Sequence, residues 1–137
     1  MSAVIGVHRR MMVYKRTEFC CSICGSKNNL TCDHFIPKWT RIVGNDADNL
    51  IPICKECNEA KGLQFLELAK LKYLPRLWVE LLMRFYSKNR MYLRKYVRDF
   101  GYYRTNGMLD VEHAMLVLDS YDSFLEENKE SLQWEDL

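Results

Sequence analysis

At 137 residues, 48% hydrophobic and 28% charged, the chain has the size and make-up of one globular domain with a core of its own. Its apolar runs fall far short of the roughly 20 residues that span a bilayer, and the opening MSAVIGVHRRMMVYKR is broken too early by Arg9 and Arg10 to hold a signal-peptide core, so no membrane association and a cytoplasmic location are expected. The net charge of +2 hides a division, since residues 1–109 carry 19 Lys and Arg against 9 Asp and Glu while residues 110–137 carry 1 against 9; a basic body suits a polyanionic partner, or simply a solvated surface with a repelled tail.

In chain order, residues 1–19 are basic and apolar and predict a short helix or arm. Residues 20–62 hold all six cysteines, at 20, 21, 24, 32, 54 and 57, together with Gly25, Gly44, Gly62, Pro37 and Pro52. This section predicts turns and short strands, with strand candidates at 30–32 and 49–53, and then a helix starting near Cys57 or Asn58 and running through Lys61. Residues 63–104 predict helix, broken or restarted at Pro75. Trp78, Leu81, Leu82, Phe85, Tyr92, Tyr96 and Phe100 follow helical spacing as an expected core stripe, with Arg84, Lys88, Lys95 and Arg98 on another face. Asp110 is the expected N-cap of a last amphipathic helix carrying Val111, Ala114, Met115, Leu118 and Leu125. The acidic tail ENKESLQWEDL follows.

Cysteines in a chain of this kind point to metal or reduced thiols more than to disulfides. Cys21 and Cys24 form one C-x2-C pair, Cys54 and Cys57 another, and 29 residues separate Cys24 from Cys54. Four thiolates from two such knuckles make a tetrahedral zinc site. Gly25 suits the tight turn after the first pair. Cys20 and Cys32 fall outside the frame and are expected to be small buried residues.

The insert between the knuckles holds Asp33-His34, then Asn49. Asn58 and Lys61 follow the second pair. A neutral imidazole can take a proton from water at neutral pH. Asp33 offers a hard anionic oxygen and Asn58 a neutral one, which together fill part of the shell of Mg²⁺. Neighbours on a strand point to opposite faces. Asp33 and His34 can therefore serve one centre only if the chain turns there, and Pro37 favours such a bend.

In order, CxxC…DHxxP…DNLxxxCxxCNxxKG resembles an HNH endonuclease of the ββα-metal (His-Me finger) class with a structural zinc. The resemblance covers residues 20–62. It implies a ββα-metal core stapled by a four-cysteine zinc site. With the amphipathic helices that periodicity gives after residue 62, the expected fold is α+β and mostly helical, divided into an arm plus nuclease core at 1–62 and a helical extension at 63–137 packed on it. By the same resemblance His34 is the general base, Asn49 holds the loop and orients His34, and Asp33 and Asn58 bind catalytic Mg²⁺ or Mn²⁺. Cys21, Cys24, Cys54 and Cys57 bind structural Zn²⁺. Lys61 would face the scissile phosphate or its neighbour. Apart from the resemblance, Lys38, Trp39 and Arg41 follow the DH pair in an expected loop, as contacts to the DNA backbone or as plain solvated surface. The family's third position is often His; Asn58 keeps an oxygen ligand and argues against a softer metal.

The implied activity is metal-dependent hydrolysis of phosphodiester bonds in DNA, duplex by expectation. The helical extension then docks substrate, a protein partner or a second copy. A phage or mobile element would suit such a chain. The alternative is a catalytically silent zinc-dependent module that binds nucleic acid or protein.

Overall fold

The structure, a computed structural model, describes residues 5–42 and 47–132, and for 131 and 132 the backbone alone. Gly44, Asp46, the first four residues of the arm and the end of the acidic tail, Trp134 included, lie outside the described residues.

Helix α1 (Val7–Tyr14) runs into a short 3-10 turn at Lys15–Thr17. Val13 is its buried contact, and the Tyr14 hydroxyl donates to the Leu30 carbonyl at 3.3 Å. Strand β1 (Leu30–His34) pairs antiparallel with β2 (Leu50–Cys54), from Leu30 opposite Cys54 to His34 opposite Leu50. Pro52 offers this ladder no N–H. Its carbonyl instead accepts the amide of Ser22 at 2.9 Å, which seats the first cysteine knuckle against β2.

Helix α2 (Lys55–Lys61) leaves β2 without a loop, earlier than the sequence suggested. The reason is its cap: the Cys54 sulfur accepts the Cys57 amide at 3.4 Å, the place a Ser or Asp oxygen usually takes. Gly62 ends the helix at φ +56. Helix α3 (Arg76–Arg104) starts directly after Pro75, and at 29 residues it is roughly 43 Å long. Helix α4 (Val111–Leu132) packs back along it. Asp110 caps α4 as expected, accepting the His113 amide at 3.1 Å. The fold is thus α+β and mostly helical, a small antiparallel hairpin with helices around it. No described helix is long and apolar enough to cross a membrane.

One buried cluster joins Phe35, Ile36 and Ile51 of the hairpin region to Leu82, Tyr86 and Val97 of α3 and to Leu118 and Tyr121 of α4. Tyr121 sits at its centre, 5.3 Å from the Phe35 ring and 5.2 Å from that of Tyr86. The buried row of α3 includes Tyr86, Leu93, Val97 and Gly101. Of the expected stripe, only Leu82 and Phe85 are buried; Tyr92 and Phe100 are about half exposed, at 47% and 49%. Gly101 explains the choice of row, because a Cβ there would meet Leu109 at 3.1 Å. The bare backbone lets the α3–α4 connection close onto the helix.

Part of the acidic C-terminal section is spoken for. Asp122 accepts from Tyr86, Arg90 and Arg94 at 2.8, 2.6 and 2.9 Å, and Asp119 accepts from Arg94 at 2.6 Å. These pairs tie α4 to the basic side of α3.

Candidate functional site

The sulfurs of Cys21, Cys24, Cys54 and Cys57 all lie within 4.8 Å of one another, and those of Cys24 and Cys54 are 3.7 Å apart. A zinc ion with Zn–S bonds of about 2.3 Å in a tetrahedron sets its sulfurs about 3.8 Å apart. The donor set and its spacing fit zinc. Gly25 makes the knuckle possible: its φ is +78, its amide donates to the Cys21 carbonyl at 3.0 Å, and a Cβ there would stand 2.8 Å from the Tyr73 ring. Cys20 and Cys32, expected to be buried, are only partly so.

The four thiols differ. Burial and then hydrogen bonds with Cys54 and Cys24 push Cys57 far above the ordinary thiol range. Cys54 is raised first by burial. Burial opposes ionisation of Cys21 too, but hydrogen bonds from the Cys24, Cys54 and Ile23 amides outweigh it and bring this thiol down to about 7. Protons on Cys54 and Cys57 thus stabilise the metal-free fold below the ordinary thiol pKa, and that stabilisation is lost as pH rises through the raised values. Zinc must displace those protons. Zinc affinity of stripped protein should rise with pH, by about 100-fold per unit if two protons leave. A chelator-competition titration between about pH 6 and pH 8 reads this directly.

Strand β1 carries Asp33 and His34 on through its end, so the turn comes later than the sequence reading required, at Phe35–Pro37. Phe35 and Ile36 are fully buried and pull the chain into the core immediately after His34. Burial of each is worth about 1.5–3 kcal/mol. Asn49 clasps the same turn from across the hairpin: its Oδ1 accepts the Ile36 amide at 2.7 Å, and its Nδ2 donates to the Ile36 carbonyl at 3.1 Å. The Phe35 amide donates to the Asn49 carbonyl at 2.7 Å. Further along, the Trp39 indole donates to the Leu63 carbonyl at 2.9 Å and the Tyr92 hydroxyl to the Thr40 carbonyl at 2.8 Å. The turn from 35 to 40 is therefore tied within itself and to the elements around it. His34, at the mouth of this turn, is 4% exposed.

Asn49→Ala removes both side-chain bonds and leaves the buried Ile36 amide unpaired. It should cost about 2–4 kcal/mol, from two hydrogen bonds and one unsatisfied donor, in chemical denaturation.

Asp33 meets α2. The Lys61 ammonium lies 3.0 Å from its Oδ2, with the lysine side chain 3% exposed and that of Asp33 23% exposed. The sequence suggested a Lys61 turned outward toward phosphate; the structure turns it inward onto Asp33. Asn58, one turn earlier on α2 and partly exposed, lies on the same side of the helix. A hard cation held here would take one oxygen each from Asp33 and Asn58 and fill its remaining places with water and phosphate. Among the described residues, the four cysteines are the one His, Cys, Asp and Glu cluster with metal-holding spacing. Lys61→Met leaves Asp33 without its cation and should lower stability by about 1–3 kcal/mol, read by the same denaturation.

Lys38 and Arg41 are exposed in the turn beyond His34, and Arg41 holds a left-handed φ of 68. One residue with no signal in its own neighbourhood is Arg16. Its guanidinium donates to the carbonyls of Ala47 and Leu50 at 2.7 and 3.1 Å and lies 4.3 Å over the Trp78 ring. It fixes the start of β2, and with it Asn49, to α1 and α3; its partners are 31 or more residues away.

Residues 21–64 match the family model described as HNH endonuclease, a span of roughly a third of the chain. No curated protein and no solved structure matches the chain. The segment holding the DH pair, the clasping asparagine and the four-cysteine frame is thus the segment that matches the HNH endonuclease, and nuclease or other nucleic-acid-related chemistry is the function this match supports.

Proposed function

We propose that the chain is a metal-dependent DNA endonuclease in which His34 is the general base. The observation that carries this reading is the placement of His34: it ends β1 beside Asp33, at the mouth of a turn that Asn49, Leu63 and Tyr92 hold from three sides. Such rigidity serves a proton acceptor, since general-base catalysis depends on hydrogen-bond reach to the attacking water. His34 takes the proton from that water. Asn49 keeps the backbone beyond His34 in place and touches no substrate. Asp33 and Asn58 supply the protein oxygens for a Mg²⁺ or Mn²⁺ ion, which when bound stabilises charge developing on the phosphate and the leaving oxygen. Lys61 holds the Asp33 carboxylate by one oxygen, leaving the other for the cation. Lys38 and Arg41 stand where a phosphate backbone crossing the turn would meet them. The cysteine frame holds Zn²⁺ and keeps hairpin and α2 in register.

Two observations favour a second reading, a silent zinc-dependent nucleic-acid-binding module. Asp33 is already paired to Lys61, and the pleat sends Asp33 and His34 to opposite faces. The test is conversion of supercoiled to nicked plasmid by zinc-loaded protein with Mg²⁺, with Mn²⁺ and without either. Nicking that requires the added metal is the expected result. No conversion under any condition, by protein that still holds its zinc, would favour the module.

A further inference from the structure

Helix α3 carries a second row beside its buried one. Lys88, Tyr92, Tyr96, Phe100 and Arg104 recur every four residues, so three aromatic rings are bracketed by two cations along one line. Tyr92 and Tyr96 stack at 5.5 Å and 19°, and Tyr96 and Phe100 lie 5.2 Å apart. These rings cover no core, for Tyr92 and Phe100 remain about half exposed. The row begins at the turn beyond His34, where the Tyr92 hydroxyl holds the Thr40 carbonyl and where Arg41, Lys88 and Tyr92, together with the carboxylate of Asp48, line one recess of about 480 Å³.

We propose that this row is a stacking surface for single-stranded nucleic acid, leading away from that turn; it rests on the reading of nucleic acid as the substrate. Successive rings lie 5.5 and 5.2 Å apart, close to the rise of about 6 Å over four helical residues. Neighbouring nucleotides of a strand in duplex DNA are about 3.4 Å apart. The spacing therefore suits a strand whose bases have come unstacked, and every base has a face that an aromatic ring can cover. Charge points the same way. From Lys88 to Arg104, Lys and Arg number six against Asp99 alone. Arg90 and Arg94 are taken up by α4, while Lys95 and Arg98 share Asp99. Lys88, Arg104 and Arg41 have no ion pair among the described residues, and remain for phosphates. The same excess opposes a second copy of this face, where like charges would meet.

The test is the fluorescence anisotropy of a labelled oligothymidylate with zinc-loaded full chain in Mg²⁺-free buffer, beside a labelled duplex. Tyr96→Leu with Phe100→Leu keeps good helix formers in place. Each lost ring should weaken oligothymidylate binding about fivefold or more, so the double variant about 25-fold or more, with duplex affinity changed far less. Tyr92 is left alone because it holds the turn. Unchanged oligothymidylate affinity in the variant, or no binding by the wild type, overturns the proposal. So does a variant that shifts the sedimentation of the protein while binding the oligonucleotide as before, which would mark the row as a seam between copies. Should the variant fail to fold, photo-crosslinking of 5-iodouracil oligonucleotide to wild-type protein decides: crosslinks at Tyr96 or Phe100 support the surface, and crosslinks confined elsewhere overturn it. Plasmid nicking reads the nuclease assignment separately, since it can fail while oligonucleotide binding holds, and the reverse.

Discussion

Cys54→Ser is expected to release zinc and unfold the hairpin while leaving most of the helix signal. The substitution isolates the metal ligand, because serine is itself a good N-cap and can still accept the Cys57 amide at the head of α2. What it lacks is the fourth thiolate. A two-stranded hairpin is marginal by itself in water. Here it leans on the knuckles on one side, through Ser22 and Pro52, and on the shared core through Phe35, Ile36 and Ile51. Structural zinc in small finger domains is worth about 10–16 kcal/mol, comparable with the whole stability of an ordinary domain. The α3–α4 pair has its own buried contacts and the Arg90, Arg94, Asp119 and Asp122 pairs to hold it. Zinc content should fall below one per chain, and hydrogen exchange should quicken by orders of magnitude at 21–26 and 50–57 with far less change in α3. Unaltered zinc content and exchange would show that the frame is not the staple.

The second large effect is on catalysis. His34→Ala should lower the single-turnover nicking rate by about 10²–10⁴-fold, the usual contribution of a positioned general base. Zinc content should not change, because His34 stands at the opposite end of β1 from the sulfurs: its register partner is Leu50, whereas Leu30 faces Cys54. The side chain is nearly buried, so alanine also leaves a void; His34→Asn keeps more of the volume, and an equal rate loss in both separates chemistry from packing.

The cysteine frame was legible because x2 spacing is a local signal, and a knuckle needs only a few residues and a glycine to form. The end of β1 was half legible. The DH pair and Pro37 marked a strand end, but the turn itself was set by Phe35 and Ile36 entering the core, which depends on α3 and α4. The stripe on α3 was misread for a similar reason. Two apolar rows run side by side there, one aromatic at 92, 96 and 100 and one smaller at 93, 97 and 101. Periodicity alone favours the larger side chains, yet burial went to the row where Gly101 admits Leu109. The inward turn of Lys61 had no local sign either. Asp33 is 28 residues away, and only the register of β1 against β2 brings it to α2. Arg16 is the extreme case, a surface-type residue in sequence that became a tie among α1, β2 and Trp78.

The central claim is that His34 activates water for phosphodiester hydrolysis, and the direct measurement is nicking of supercoiled plasmid in Mg²⁺ by zinc-loaded wild type and zinc-loaded His34→Ala side by side. Steady nicking by the wild type and loss of at least about 100-fold in the variant are the predicted result. Nicking at equal rates by the two proteins would contradict it.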